Sequence, residues 1–167
     1  LSFGRRIQIS KFINEWSPTL KHLSKIDNSV DNRCFACGQL NEDTEHVLRC
    51  TSDRRIASRE DALKSFQDHL SRMYTPAPMA TVILMMMCKW INKCTMIYEQ
   101  LPENEELTWE VHYQLLINTA ATHQGYIGWG HWFRGRISKK WRDVIAYHYR
   151  ERQLDERHNP ALWARKT

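Results

Sequence analysis

The stretch Cys34-Phe35-Ala36-Cys37-Gly38-Gln39-Leu40-Asn41-Glu42-Asp43-Thr44-Glu45-His46-Val47-Leu48-Arg49-Cys50 decides how this chain is read. It spaces three cysteines and a histidine as C-x2-C-x8-H-x3-C. Zinc takes four soft or borderline ligands in a tetrahedron, and a CxxC turn brings two thiolates from one tight loop. Gly38 stands where such a loop needs a positive φ, which costs energy in any residue with a Cβ. His46 and Cys50 are four apart, so one helical turn puts both side chains on the same side of the backbone. Cys34, Cys37, His46 and Cys50 are therefore the expected ligands of one zinc ion, and their closeness in sequence keeps the loop-closure cost low. Four protein ligands leave no coordination position for a reacting water, so the zinc is expected to be structural. A zinc deaminase would need H-x-E ahead of P-C-x-x-C. Here CxxC comes first and Glu45 directly precedes His46.

On both sides of this knuckle the chain has helical periodicity almost throughout. Before the knuckle, Ile9, Phe12, Ile13 and Trp16 recur at helical spacing over residues 5–16. Ser17-Pro18-Thr19 breaks that run and suggests proline in the first turn of a new short helix. Asp27-Asn28-Ser29 and Asp31-Asn32 are turn-rich and lead into Cys34. After Cys50, Ile56, Leu63, Phe66, Leu70 and Met73 share one helix face, which Pro76-Ala77-Pro78 ends. A second helix is expected over residues 79–100, with Val82, Ile83, Met86, Trp90, Cys94 and Ile97 inward. Leu84, Met85 and Met87 make it apolar nearly all round and place it at the centre of a bundle. An acidic, proline-containing loop at 101–106 precedes a third helix over 108–123, closed by Gly125. One last long helix is expected from 127 to 154. Strand signals are nearly absent. The expected fold is mainly α: a helical lead-in and CCHC zinc knuckle over 1–54, a small helical bundle over 55–157, and a tail at 158–167.

A length of 167 residues suits one compact domain or a small core with a helical extension, and 42% hydrophobic residues with seven tryptophans suffice for a core. Five cysteines are an odd number for a disulfide framework, and the opening Leu1-Ser2-Phe3-Gly4 does not read as a signal peptide. An intracellular, reducing compartment is expected, nucleus or cytoplasm. Cys88 and Cys94 lie on the apolar helix without a CxxC partner and read as core filler. The most apolar run, 82–88, is far short of the ~20 residues a bilayer crossing needs, so no membrane is expected.

Twenty-four basic against nineteen acidic residues give a net charge of +5, which permits a phosphate-bearing partner without demanding one. In the expected last helix, Phe133, Ile137, Trp141, Val144 and His148 form one stripe, with Arg136, Lys139, Lys140 and Arg150 on the neighbouring face. Arg134, Arg136, Lys139, Lys140 and Arg142 are the candidate contacts to RNA or single-stranded DNA, with Trp129 or Tyr147 as exposed aromatics to stack bases. Asp143 and Glu151 interrupt this run, so a solvated face over a core stripe is the competing reading. The other histidines have no carboxylate or cysteine partner at a telling spacing.

Trp16-Ser17-Pro18-Thr19, a basic linker, Cys-x2-Cys-Gly and Glu-x-Thr-x-His-Val-Leu-x-Cys together resemble the zinc-binding segment that follows the reverse transcriptase domain in non-LTR-type retroelements. The resemblance covers about residues 5–75 and is most specific at Cys34, Cys37, Gly38, Glu42 or Asp43, Thr44, His46, Leu48 and Cys50. The family usually carries Pro after the first Cys and Leu-Pro-Thr after the Trp. Phe35 and Ser17 depart from this without touching the ligands. The segment from Ile127-Gly128-Trp129 to Trp141 also resembles the tail of retroelement-derived reading frames in protists and algae. The resemblance implies a C-terminal fragment of a polyprotein whose upstream reverse transcriptase domain, an RNA-directed DNA polymerase, is its partner. No Tyr-x-Asp-Asp occurs in this chain. A non-enzymatic nucleic-acid-binding accessory domain is the expected function, with a protein-interaction or scaffolding module as the alternative.

Overall fold

Three short caps set where the helices of this chain stop. Helices leave their last carbonyls unpaired, and a residue in the left-handed region just past the end turns the backbone to satisfy them. Tyr74 (φ 55°) does this after α4 (Asp53–Arg72): its N–H donates to Ser71 O and the Thr75 N–H to Leu70 O, both at 3.0 Å. Lys93 (φ 56°) closes α5 (Ala77–Ile91) in the same way, with bonds from Lys93 and Cys94 back to Trp90 and Lys89. Gly135 (φ 74°) is the third, with Gly135 N–H on Trp132 O and Arg136 N–H on His131 O.

The computed structural model describes residues 3–14, 16–94 and 109–151. Eight helices and no strand are present among them, so the fold is mainly α, as the periodicity predicts. The chain divides into two units, Leu1–Lys64 and Ser65–Thr167, and the division falls inside α4. Ile97, the loop at 101–106, the residues beyond 151 of the expected last helix, His158 and the tail at 158–167 lie outside the described residues. No described helix is long and apolar enough to cross a membrane.

The first unit has little conventional core. In α1 (Phe3–Ile13), Ile9 and Ile13 are exposed and only Phe12 of the expected stripe is half-buried. Trp16 lies beyond the helix and is exposed. Proline at 18 disfavours helical geometry at Ser17, which keeps the helix from running through. Thr19, rather than Pro18, starts α2 (Leu20–Leu23): its hydroxyl accepts the His22 N–H, so the proline precedes the cap. Asp27 and Asp31 then make successive side-chain turns, accepting the backbone N–H of Ser29 (2.9 Å) and Arg33 (3.0 Å).

In the second unit α6 (Trp109–Ile127) packs mainly on α8 (Lys140–Glu151), while α5 and the short α7 (Trp129–Trp132) close against it. Met79, Ile83, Met86, Met87 and Ile91 are buried along α5, and Tyr113, Ile117, Ala120, Ala121 and Gln124 along α6. Trp129, Trp132 and Trp141 meet with ring centroids 5.6–6.4 Å apart and are all buried.

The last helix is not continuous: the chain turns at Gly135, runs irregularly to Lys139, and only then enters α8. α6 runs through Gly125 and stops at Gly128, whose φ of 98° is a stronger break than glycine alone. Cys94 is exposed instead of filling the core, because Lys93 ends α5 before the apolar pattern does. Met85 is exposed as well, so α5 is not buried all round.

Candidate metal centre

Two local structures bring the four expected ligands together. On one side the Cys34 N–H donates to Gln39 O and the Gly38 N–H to Cys34 O, both at 2.8 Å, closing the CxxC turn. Gly38 sits at φ 74°, as its place in the loop demands. On the other side Asp43 caps α3 (Thr44–Arg49), its Oδ1 accepting the His46 N–H at 2.9 Å. His46 thus lies in the first turn and Cys50 just past the last.

The ligand atoms of Cys34, Cys37, His46 and Cys50 all lie within 4.8 Å of one another. Cys34 Sγ is 3.8 Å from Cys50 Sγ, and Cys37 Sγ is 3.3 Å from His46 Nε2. A zinc tetrahedron with ordinary bond lengths has S···S edges of about 3.8 Å and S···N edges of about 3.6 Å. The two edges match such a tetrahedron and the widest separation exceeds it by no more than about 1 Å, so the four residues are close enough to hold one metal ion, and Cys34 and Cys50 are buried as ligands of a closed site should be.

The two buried thiols differ. Burial, then a hydrogen bond to the Glu42 side chain, pushes Cys34 up to about 11. Burial opposes ionisation of Cys50 too, but the Ser52 N–H and hydroxyl and the neighbouring Cys37 and Cys34 thiols outweigh it and bring Cys50 down to about 6. Of the two, Cys50 is the thiol whose surroundings favour the thiolate, the form that binds a metal cation.

Side chains that the spacing pattern does not assign hold this centre from outside. Glu42 is buried, with its N–H on Asn32 O and its C=O accepting from Lys21 N–H, both at 3.0 Å. Lys21 Nζ pairs with Asp43 Oδ2 at 3.0 Å. From α4, Arg55 approaches the Glu42 carboxylate (3.9 Å), and Arg59 donates to Leu48 O (3.0 Å) and Cys50 O (3.1 Å). Their one legible trace in sequence is a pair of arginines one helical turn apart, soon after the last ligand.

Asp43→Ala should remove both the cap and the Lys21 pair, destabilising the knuckle by about 1 kcal/mol. Partial burial raises the Asp43 carboxyl, but the His46 N–H and Lys21 outweigh it and hold it below the ordinary 3.8. This contribution is therefore complete above that value and lost as pH falls through the lower folded one. Competition with a chelator will show several-fold weaker metal binding by Asp43→Ala and near-parental binding by Asp43→Asn, which can still cap. Equal loss in both variants would count against the cap as the cause.

The candidate basic residues fall on a corner rather than a helix face. Arg134 is half-buried in the turn after α7, with Nη1 3.4 Å from His131 Nδ1. Arg136 and Lys139 are exposed before α8, and Lys140 and Arg142 are exposed on its first turn. Lys140 Nζ lies 3.6 Å from Asp143. Gln124, fully buried on α6, donates through Nε2 to Arg136 O (3.1 Å) and accepts the Ser138 N–H (2.8 Å), pinning this corner. Trp129 is buried and Tyr147 half-buried, so neither is the exposed aromatic expected beside it. No family model, curated protein or solved structure matches this chain.

Proposed function

We propose that the chain is a non-catalytic, nucleic-acid-binding accessory domain of a retroelement reverse transcriptase polyprotein, stapled by one structural zinc. Cys34, Cys37, His46 and Cys50 would hold the ion, which supplies folding energy and no reactive position. The observation that carries nucleic-acid binding is the pinned corner, where Arg136, Lys139, Lys140 and Arg142 are exposed together and Lys140 pairs with Asp143. Retroelement origin rests on the knuckle's sequence resemblance, and the upstream polymerase domain is the intramolecular partner it implies.

The test is titration of RNA and single-stranded DNA at several salt concentrations. Each neutralised phosphate contributes ~0.7 to the salt slope on single strands. Arg136→Ala, Lys139→Ala and Lys140→Ala combined should flatten that slope by about two units and weaken binding to all sequences alike. Parental affinity of the triple variant at low salt would leave the corner as plain solvated surface. A second reading, protein docking, is favoured by the exposure of Trp16, Ile26, Phe35 and Leu40 in the first unit. It would show as salt-insensitive binding to a polymerase domain.

A further inference from the structure

We infer that Arg59 is a positioning residue for the metal centre, and that through it the metal site and the first turns of α4 form one cooperative structure. The inference rests on the knuckle taking a metal ion, and goes beyond it by assigning what orients the last ligand.

α3 has only six residues, so its final carbonyls have no partner within the helix. Cys50, the ligand that ends it, has already left helical geometry (φ −58°, ψ 135°). A single guanidinium nitrogen of Arg59 takes two of these carbonyls, those of Leu48 and Cys50. Holding the Cys50 carbonyl fixes the rotation of its peptide and anchors the backbone from which Sγ projects, 3.8 Å from Cys34 Sγ. Arginine suits this place because its charge is permanent and its donors are fixed in one plane, whereas a lysine ammonium is a single rotating point.

Charge points the same way. One zinc with three thiolates and a neutral imidazole carries a net −1, and the buried Glu42 carboxylate adds to it. Glu42 Oε2 has no hydrogen-bond partner, and Arg55 stands 3.9 Å away as its counter-charge. Arg55 and Arg59 are one turn apart on α4, so a single helix face holds the chain both before α3, at Glu42, and after it, at Cys50. Outer groups of this kind typically govern metal affinity by ten- to a hundredfold or so. By linkage, what the helix does for the metal the metal does for the helix.

The full chain is loaded with Co(II), whose visible spectrum reports ligand number and geometry, and zinc affinity is then measured by chelator competition. Arg59→Ala should bind zinc roughly ten- to a hundredfold more weakly and alter the cobalt bands, with partial recovery in Arg59→Lys. Arg54→Ala, five residues earlier on α4 and with an exposed side chain, should match the parent. Hydrogen exchange should show that stripping the metal deprotects residues 53–60. Unchanged affinity and bands in Arg59→Ala overturn the inference while leaving the metal site intact, as does equal weakening by Arg54→Ala. A parent chain that binds neither metal defeats the metal reading itself. If Arg59→Ala fails to fold, the lysine variant's bands and affinity decide: parental values overturn the inference.

Discussion

Cys37→Ala protein will hold no zinc and will lose ordered structure over residues 32–51, while the helices of the second unit keep theirs. The reason lies in what is buried. Among the described residues of the first unit, only Leu20, Cys34, Glu42 and Cys50 are buried, and two of these are metal ligands. Its helices α2 and α3 have four and six residues, well below the length at which an isolated helix holds in water. A metal ion held there would do what an apolar core does elsewhere, since structural zinc in knuckle-sized peptides contributes on the order of 10 kcal/mol. The second unit has its own core, from Leu70 through Ile83 and Ile117 to Trp141 and Ile145. Metal analysis and an amide correlation spectrum check this together. The parent should carry one zinc per chain, and the variant's amides over 32–51 should collapse into the random-coil range. A parent without zinc and with all five thiols free to a reagent, or a variant that keeps dispersed amides there, would refute the assignment. Stripping the parent's metal with a chelator should reproduce the variant's spectrum, separating loss of the ion from loss of the side chain.

The metal centre is legible in the sequence because its geometry is local. A CxxC turn, a glycine at positive φ and a ligand pair one helical turn apart each need only a few neighbouring residues, and the structure brings all four ligand atoms within reach of one ion. What escapes is what depends on distant chain. Arg55 and Arg59 look like ordinary surface positions of an amphipathic helix until the knuckle is folded against them. The helix ends escape for another reason. Lys93 adopts the left-handed conformation without being glycine, so no residue type announces where α5 stops, and Tyr74 does the same after α4, ending it ahead of the prolines at 76 and 78. Gly135 does announce a stop, but the apolar pattern of Phe133, Ile137, Trp141 and Val144 continues on both sides of it. The chain turns and re-enters the same core, so the periodicity outlives the helix that first carries it. Trp129, expected to be exposed, is buried because α7 turns it onto Trp132 and Trp141, a contact between segments that helical spacing does not encode.

Gln124→Leu should unfold the second unit at a markedly lower temperature, although it replaces one buried side chain with another of similar size. Gln124 is fully buried, and its amide meets three backbone groups of the segment that follows α6. The Ser138 N–H at 2.8 Å and the Arg136 carbonyl at 3.1 Å are the strong contacts, and the Gly128 carbonyl at 3.4 Å is marginal. Leucine supplies none of them, and each buried backbone group left without a partner costs roughly 1–3 kcal/mol. With two strong bonds lost, about 2–6 kcal/mol follows, a drop in Tm on the order of 15 °C for a unit of this size. Gln124→Glu should be worse still. It keeps the acceptor for Ser138 but turns a donor into an oxygen facing two carbonyls, in a site where a charge cannot reach water. A functional readout follows from the same bonds. Ser138 caps the start of α8, its hydroxyl accepting the Lys140 N–H at 3.2 Å, so loosening Ser138 frees the residues that present Arg136, Lys139 and Lys140. Single-strand affinity should therefore fall in Gln124→Leu with its salt slope nearly unchanged, because no positive charge is removed. A melt within about 1 kcal/mol of the parent would mean that water or a shifted backbone satisfies these groups, and the corner would not be pinned by Gln124 at all.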